Sequence, residues 1–207
     1  MKRLFTIIAT LMLTLMSFAQ TPEEIVNKMG EAMDQLESTG LRMTMDIKIP
    51  ILGTVSTVAW SLGDKMRMEA EVMGKKVITW MDNDTEWTYE AKDNTVTIKN
   101  RDAQKSSSEQ ENMKMFDSAT EGYDVFLKKE TDQAWYLQCK KNKSNTNKDD
   151  PKTIDLVIDK DTYHPISLSA KVSGITVTMR DLDFNVTENQ VTFNKDDYPG
   201  ARIIDKR

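Results

Sequence analysis

The chain has 207 residues, 39% of them hydrophobic, and a formal charge of −5. That length allows one domain with a core of its own, and so acidic a surface disfavours nucleic acid and anionic headgroups as partners. A single cysteine, Cys139, rules out an internal disulfide, and a single histidine, His164, leaves little for acid–base or metal chemistry.

The chain opens with Lys2 and Arg3, an apolar run over residues 4–16 and the small-residue ending Ser17-Phe18-Ala19. This is the pattern of a secretory signal peptide cleaved after Ala19, and its apolar run is shorter than the roughly 20 residues that span a bilayer. No cysteine follows Ala19, so the exported chain offers no site for an acyl anchor. Residues 20–207 are read as one domain delivered to the periplasm.

Thr21, Pro22 and Glu24 read as the cap, the first helical residue and the capping-box partner of a helix. Ile25, Val26, Met29, Ala32, Met33 and Leu36 recur at helical spacing as one apolar stripe, opposed by Glu23, Asn27, Lys28, Glu31, Asp34 and Gln35. Gly40 ends the helix. From Leu41 the period falls to two: Leu41, Met43, Met45, Ile47 and Ile49 alternate with Arg42, Thr44, Asp46 and Lys48. Strands are predicted at 41–49, 54–62, 65–72, 76–81, 85–90 and 95–99, separated by turn residues such as Gly63-Asp64, Gly74 and Asp82-Asn83-Asp84. Short strands joined by tight turns pair antiparallel.

After a polar stretch, Met113, Met115, Phe116 and Ala119 mark one short helix. Strands follow at 123–130 and 134–140, then a hydrophilic loop over 141–152, then strands at 153–158, 165–172, 175–182 and 190–193. His164, before Pro165, reads as a turn residue at strand entry, and Cys139 as a packing or edge residue at a strand end. The acidic pairs Asp82/Asp84, Asp149/Asp150 and Asp196/Asp197 lack calcium-loop spacing and read as solvated turns. No G-x-S-x-G elbow, P-loop, H-E-x-x-H or dinucleotide fingerprint occurs, so no enzyme, cofactor or metal site is expected.

Strands far outnumber helices, and each has one apolar face. Such a sheet must close on itself, stack on another or be covered by helices. The expected class is mainly β (α+β), a strongly curled, incompletely closed antiparallel barrel with the first helix lying across its open side. Methionine is unusually frequent: of the fourteen, Met29 and Met33 lie on the helix stripe and Met43, Met45, Met66, Met68 and Met81 on alternating strands. A flexible thioether suits a wall that accommodates varied apolar shapes, and a methionine-rich core without a ligand is the competing reading. Trp60, Trp80, Trp87 and Trp135 admit the same two readings.

Four phrases together resemble the periplasmic outer-membrane lipoprotein carrier family (LolA-like), whose fold the receptor LolB shares. They are Glu24-Ile25-Val26-Asn27-Lys28-Met29; Val58-Ala59-Trp60 followed by Lys65-Met66-Arg67-Met68-Glu69; Met81-Asp82-Asn83-Asp84-Thr85-Glu86-Trp87-Thr88-Tyr89; and the close from Ile154 through His164-Pro165-Ile166 and Phe193 to Tyr198-Pro199-Gly200-Ala201-Arg202-Ile203-Ile204. The resemblance implies an unclosed barrel of about eleven strands, with the N-terminal helix and the short mid-chain helix as its lid. It also implies an apolar cavity for lipoprotein acyl chains or another lipid, an inner-membrane donor, an outer-membrane acceptor and a monomeric carrier. Carriers of this family have a basic residue and a proline after the second-strand tryptophan. This chain reads Leu62-Gly63-Asp64, so no such arginine is carried over.

The expected cavity wall is Met43, Met45, Trp60, Met66, Met68, Trp80, Trp87 and Tyr89, with Ile25, Met29, Met33 and Leu36 beneath the lid. The expected function is a periplasmic lipid carrier. The alternative is an envelope sensor or interaction module of the same fold whose barrel is filled by its own side chains.

Overall fold

The computed structural model describes residues 20–51, 53–72, 74–101, 121–148, 150–172 and 174–207. The signal peptide expected at 1–19 and the helix expected around Met113–Ala119 lie outside the described residues.

Helix α1 spans Pro22–Leu36 and begins as its sequence dictates. The Glu24 backbone N–H donates to Thr21 Oγ1 at 3.2 Å, and the Thr21 N–H donates to Glu24 Oε2 at 3.0 Å, a reciprocal capping box. A 3₁₀ turn, Glu37–Thr39, follows, and Gly40 leaves it at φ 74°. No side chain fits there, because a Cβ would stand 2.4 Å from the Ser61 carbonyl oxygen. A helix of this length is marginal alone in water. Ile25, Val26 and Met29 are 0–3% exposed, and each buried side chain contributes about 1.5–3 kcal/mol. Packing, more than propensity, holds α1 in place.

The strands are β1 Leu41–Ile49, β2 Gly53–Leu62, β3 Lys65–Val72, β4 Lys75–Met81, β5 Thr85–Glu90, β6 Thr95–Asn100, β7 Tyr123–Glu130, β8 Ala134–Lys141, β9 Thr153–Asp159, β10 Pro165–Val172, β11 Ile175–Asp183 and β12 Arg202–Asp205. They form one curved, unclosed sheet in the order β12-β6-β5-β4-β3-β2-β1-β11-β10-β9-β8-β7. Two meanders, β1–β6 and β7–β11, are thus joined along the β1–β11 pair. Every neighbouring pair is antiparallel except β12 with β6, which is parallel. This is the unclosed antiparallel sheet with a helix against it that the sequence led us to expect.

The end of the chain differs from expectation. Residues 190–193 are not a strand: Glu188–Val191 form a short helix, α2. The Thr187 N–H donates to Gln190 Oε1 at 2.7 Å, so a polar helix start outweighs the strand preference of Val191, Thr192 and Phe193. The twelfth strand lies instead at Arg202–Asp205, where Ile203 and Ile204 pair beside Val96 and Thr97.

Candidate functional site

Cross-strand register sorts the side chains onto two faces of the sheet. On the face that carries α1, one row runs Met43, Ala59, Met68, Thr79. A second row places Met45 between Met179 and Thr57, and a third places Met66 between Ser61 and Met81. Residues opposite one another in such rows have Cβ atoms about 4.5–5.5 Å apart. Met43, Met45, Met66 and Met68 therefore form one continuous strip, and Met81 and Met179 extend it. Those last two share the parity of the strip but are absent from the wall expected from sequence.

Helix α1 lies over one end of this strip. Ile25, Val26 and Met29 pack with Leu137, Leu156, Ile158 and Leu168 of the far meander and with Met43 and Ala59. Met33 and Met68 are partly buried against the same cluster, and Leu36 is half-buried. The expected roof residues and the methionine strip do meet. The N-terminal end of α1 is held by the turn that links β9 and β10. There Tyr163 adopts φ 60°, a strained value for a side chain of that size. Its ring packs 5.3 Å from Trp135, and its hydroxyl accepts from Gln20 Nε2 at 2.9 Å and from Lys28 Nζ at 3.4 Å. The Gln20 bond, and Lys28 after it, hold the Tyr163 hydroxyl below its usual pKa.

The aromatic half of the expected wall is elsewhere. Because Met43 pairs with Ala59 and Met68 with Thr79, the adjacent Trp60 and Trp80 point to the opposite face. Trp87 pairs with Trp80 and Tyr89 with Ile78, which puts both on that opposite face as well. The chain after β11 covers them. Phe193 lies 5.4 Å from Trp80 and is stacked 5.8 Å from Trp87, while Tyr198 meets Trp80 at 5.5 Å and Tyr89 at 4.4 Å. Arg67 sits over the rings of Trp60 and Trp80 at 4.8 and 5.6 Å, pairs with Glu69 and donates from Nη1 to the Gln190 carbonyl at 3.4 Å. The structure thus divides the eight expected wall residues, with Met43 and Met68 packed against the α1 cluster, Met45 and Met66 in the rows beside them, and the four aromatics on the opposite face.

Three remaining positions have plain structural accounts. Cys139 is fully buried, and burial, with the Asp155 charge behind it, pushes its thiol up to about 11. His164 ends the β9–β10 turn, its carbonyl accepting from the Asp159 N–H at 2.9 Å. Asp82 Oδ1 accepts from the N–H groups of Asp84 and Thr85 at 3.0 and 2.7 Å, the work of a turn-forming aspartate.

No family model matches this sequence, and no curated protein matches it. Solved structures do. An uncharacterized conserved protein of Thermus thermophilus matches at 15% identity with a TM-score of 0.46, over 90% of this chain and all of that one. MucB, solved as the MucA/MucB complex of Pseudomonas aeruginosa, matches at 13% identity and TM-score 0.43, over 84% of this chain and 61% of that one. A LolA superfamily protein from Nitrosomonas europaea matches at 10% identity and TM-score 0.32, over 86% of this chain and 99% of that one. At such distances, function has to be read from this chain's own residues.

Proposed function

We propose that this protein is an exported, periplasmic carrier that shields the acyl chains of a lipoprotein or another lipid on the methionine strip beside α1. One observation supports the reading above the others. Methionines from α1, β1, β3, β4 and β11 converge on a single face of the sheet, and thioether side chains adapt to acyl chains without demanding one shape. Burying each methylene contributes about 0.8 kcal/mol, so affinity would grow with chain length and need no fixed polar contact. A donor at the inner membrane and an acceptor at the outer membrane belong to the same reading.

The second reading, a sensor or interaction module, draws on the other end of the same face. There Met29, Leu137, Leu156, Ile158 and Leu168 are 0–2% exposed and fill the space under the first turns of α1 themselves. Native mass spectrometry of the protein purified from its own envelope separates the two. A co-purifying lipid or acylated peptide is the expected result. An empty protein that also takes up no fluorescent fatty acid would leave the module as the reading to keep.

A further inference from the structure

We infer that the lipid held here is an uncharged amphiphile, lying with its acyl carbons on the methionine rows and its ester or amide groups on a row of threonines across β4, β5 and β6. The inference rests on the acyl-holding reading above and adds to it a head-group site and a direction.

The row is fixed by register. Met43, Ala59 and Met68 continue without a break into Thr79, Thr88 and Thr97, so one line of side chains passes from thioether and methyl to hydroxyl. All three threonines are half-buried. Threonine neighbours are also ordinary sheet filling, and two observations argue for more here. The aromatic core that needs covering in these strands, Trp80 and Trp87, is on the other face and already carries Phe193. The hydroxyl row is therefore no part of that packing. The charges beside the row also cancel. Glu86, in line with Met66 and Met81, accepts from the Thr88 hydroxyl at 3.2 Å and pairs with Lys99 at 3.0 Å.

Lys99 is thus matched to Glu86, and the next row, Glu90, Thr95 and Arg202, adds one charge of each sign. The face therefore carries no net charge to fix a carboxylate, and the chain's overall charge of −5 works against an anion. Thr79 and Thr97 each offer one donor and two acceptor positions, and Thr88, whose hydrogen goes to Glu86, offers its acceptor positions, which complements the carbonyl and N–H or O–H groups of an ester or amide linkage. The methionine end of the line faces α1 and the far meander, while a single apolar residue, Ile204 of β12, follows Thr97 at the other end. The acyl chain would therefore point toward Met43 and Met45, and the head would lie on the three threonines.

Three probes test this on the full mature chain: 1,6-diphenylhexatriene, a hydrocarbon with no polar group; monopalmitoylglycerol; and palmitate. Wild-type protein is expected to bind the hydrocarbon, and to bind the glycerol ester about tenfold more tightly than palmitate. The triple variant T79V/T88V/T97V should lose about tenfold in affinity for the ester, since a lost neutral hydrogen bond weakens binding by a factor of about 2–10. Its hydrocarbon binding should stay within twofold, and T79S/T88S/T97S, which keeps the hydroxyls, should bind the ester like wild type. Palmitate binding as tightly as the ester, or a triple valine variant within twofold of wild type for the ester, overturns the head-group site. A wild-type protein that binds none of the three probes overturns the acyl-holding reading itself.

Discussion

The two halves of the sheet are covered on opposite faces. Over β8 to β11 the apolar side faces α1, and the other side is wet and polar, with Asp46 paired to Arg180 at 2.7 Å, Gln138 bonded to Asp155 at 2.8 Å and Ser169 to Thr178 at 3.0 Å. Over β2 to β6 the buried apolar side chains Ile78, Trp80 and Val96 face the other way, with Trp80 against Phe193 and Tyr198, while Met81 and Thr95, as deeply buried, keep to the α1 face. The apolar face changes sides part-way across one continuous sheet. The methionine strip occupies the region of changeover, with a tightly filled core at one end and a hydroxyl row at the other. A sheet with a single roof would have no such intermediate zone.

Damage to either roof should lower a single cooperative transition, because the strands beneath both are hydrogen-bonded into one sheet. Met29→Asp should have the largest effect, placing an unpaired charge where the native side chain has no exposure, at a cost of about 4 kcal/mol or more. Chemical denaturation followed by circular dichroism would show loss of the fold or a large fall in midpoint. Gly40→Ala comes next. It strikes the point where the roofs meet, since a new Cβ would crowd Ser61 and Val186 and the Val186 N–H donates to the Thr39 carbonyl at 3.0 Å. The expected loss is about 2–3 kcal/mol. Phe193→Ala opens only the aromatic core, and because Phe193 is half-buried the expected cost is about 2 kcal/mol, below the roughly 3–5 kcal/mol of a fully buried phenylalanine truncation. Tryptophan fluorescence and circular dichroism should report the same midpoint in that variant. Two separate transitions would break the comparison by showing that the halves fold independently.

The smallest effect is a dependence on pH. The Cys139 thiol is raised in the folded protein to about 11 from an ordinary value of 9.0. Its contribution to stability is therefore complete below about pH 9 and is lost as pH rises toward 11. Cys139→Ala should flatten the alkaline limb of the stability curve measured by urea denaturation. The same burial predicts that the native thiol reacts with iodoacetamide only as fast as the protein opens; fast labelling at pH 8 would contradict its place in the core.

Much of this is legible in the residues. The Thr21-Pro22-x-Glu24 start, the Met29 stripe and the period-two strands are local signals, and local signals survive into the fold. What misleads is the step between strands. Parity within β1 and within β2 does not say which face of one meets which face of the other, so sequence alone groups Trp60 with Met43. The two-residue Gly63-Asp64 turn holds the missing information. It sets Leu62 opposite Lys65 and hence Trp60 opposite Arg67, which places the tryptophan with the charged side of β3 and away from Met66 and Met68. No comparable cue exists for β5, because the longer turn after Met81 pairs it with Glu86, not Thr85. The strand expected at 190–193 fails for a different reason: side-chain capping by Gln190 is a two-residue effect that β propensity does not register.

The β1–β11 pair described above joins segments more than 120 residues apart in the chain, with Met45 opposite Met179 and Arg42 opposite Asp183. Each meander can form from its own hairpins, but the seam between them waits for nearly the last part of the polypeptide to be available. Long-range pairing of this kind is slow to nucleate. A chain threaded outward from its N-terminus would stay unfinished, and so able to pass through a narrow pore, until residues near 183 had emerged.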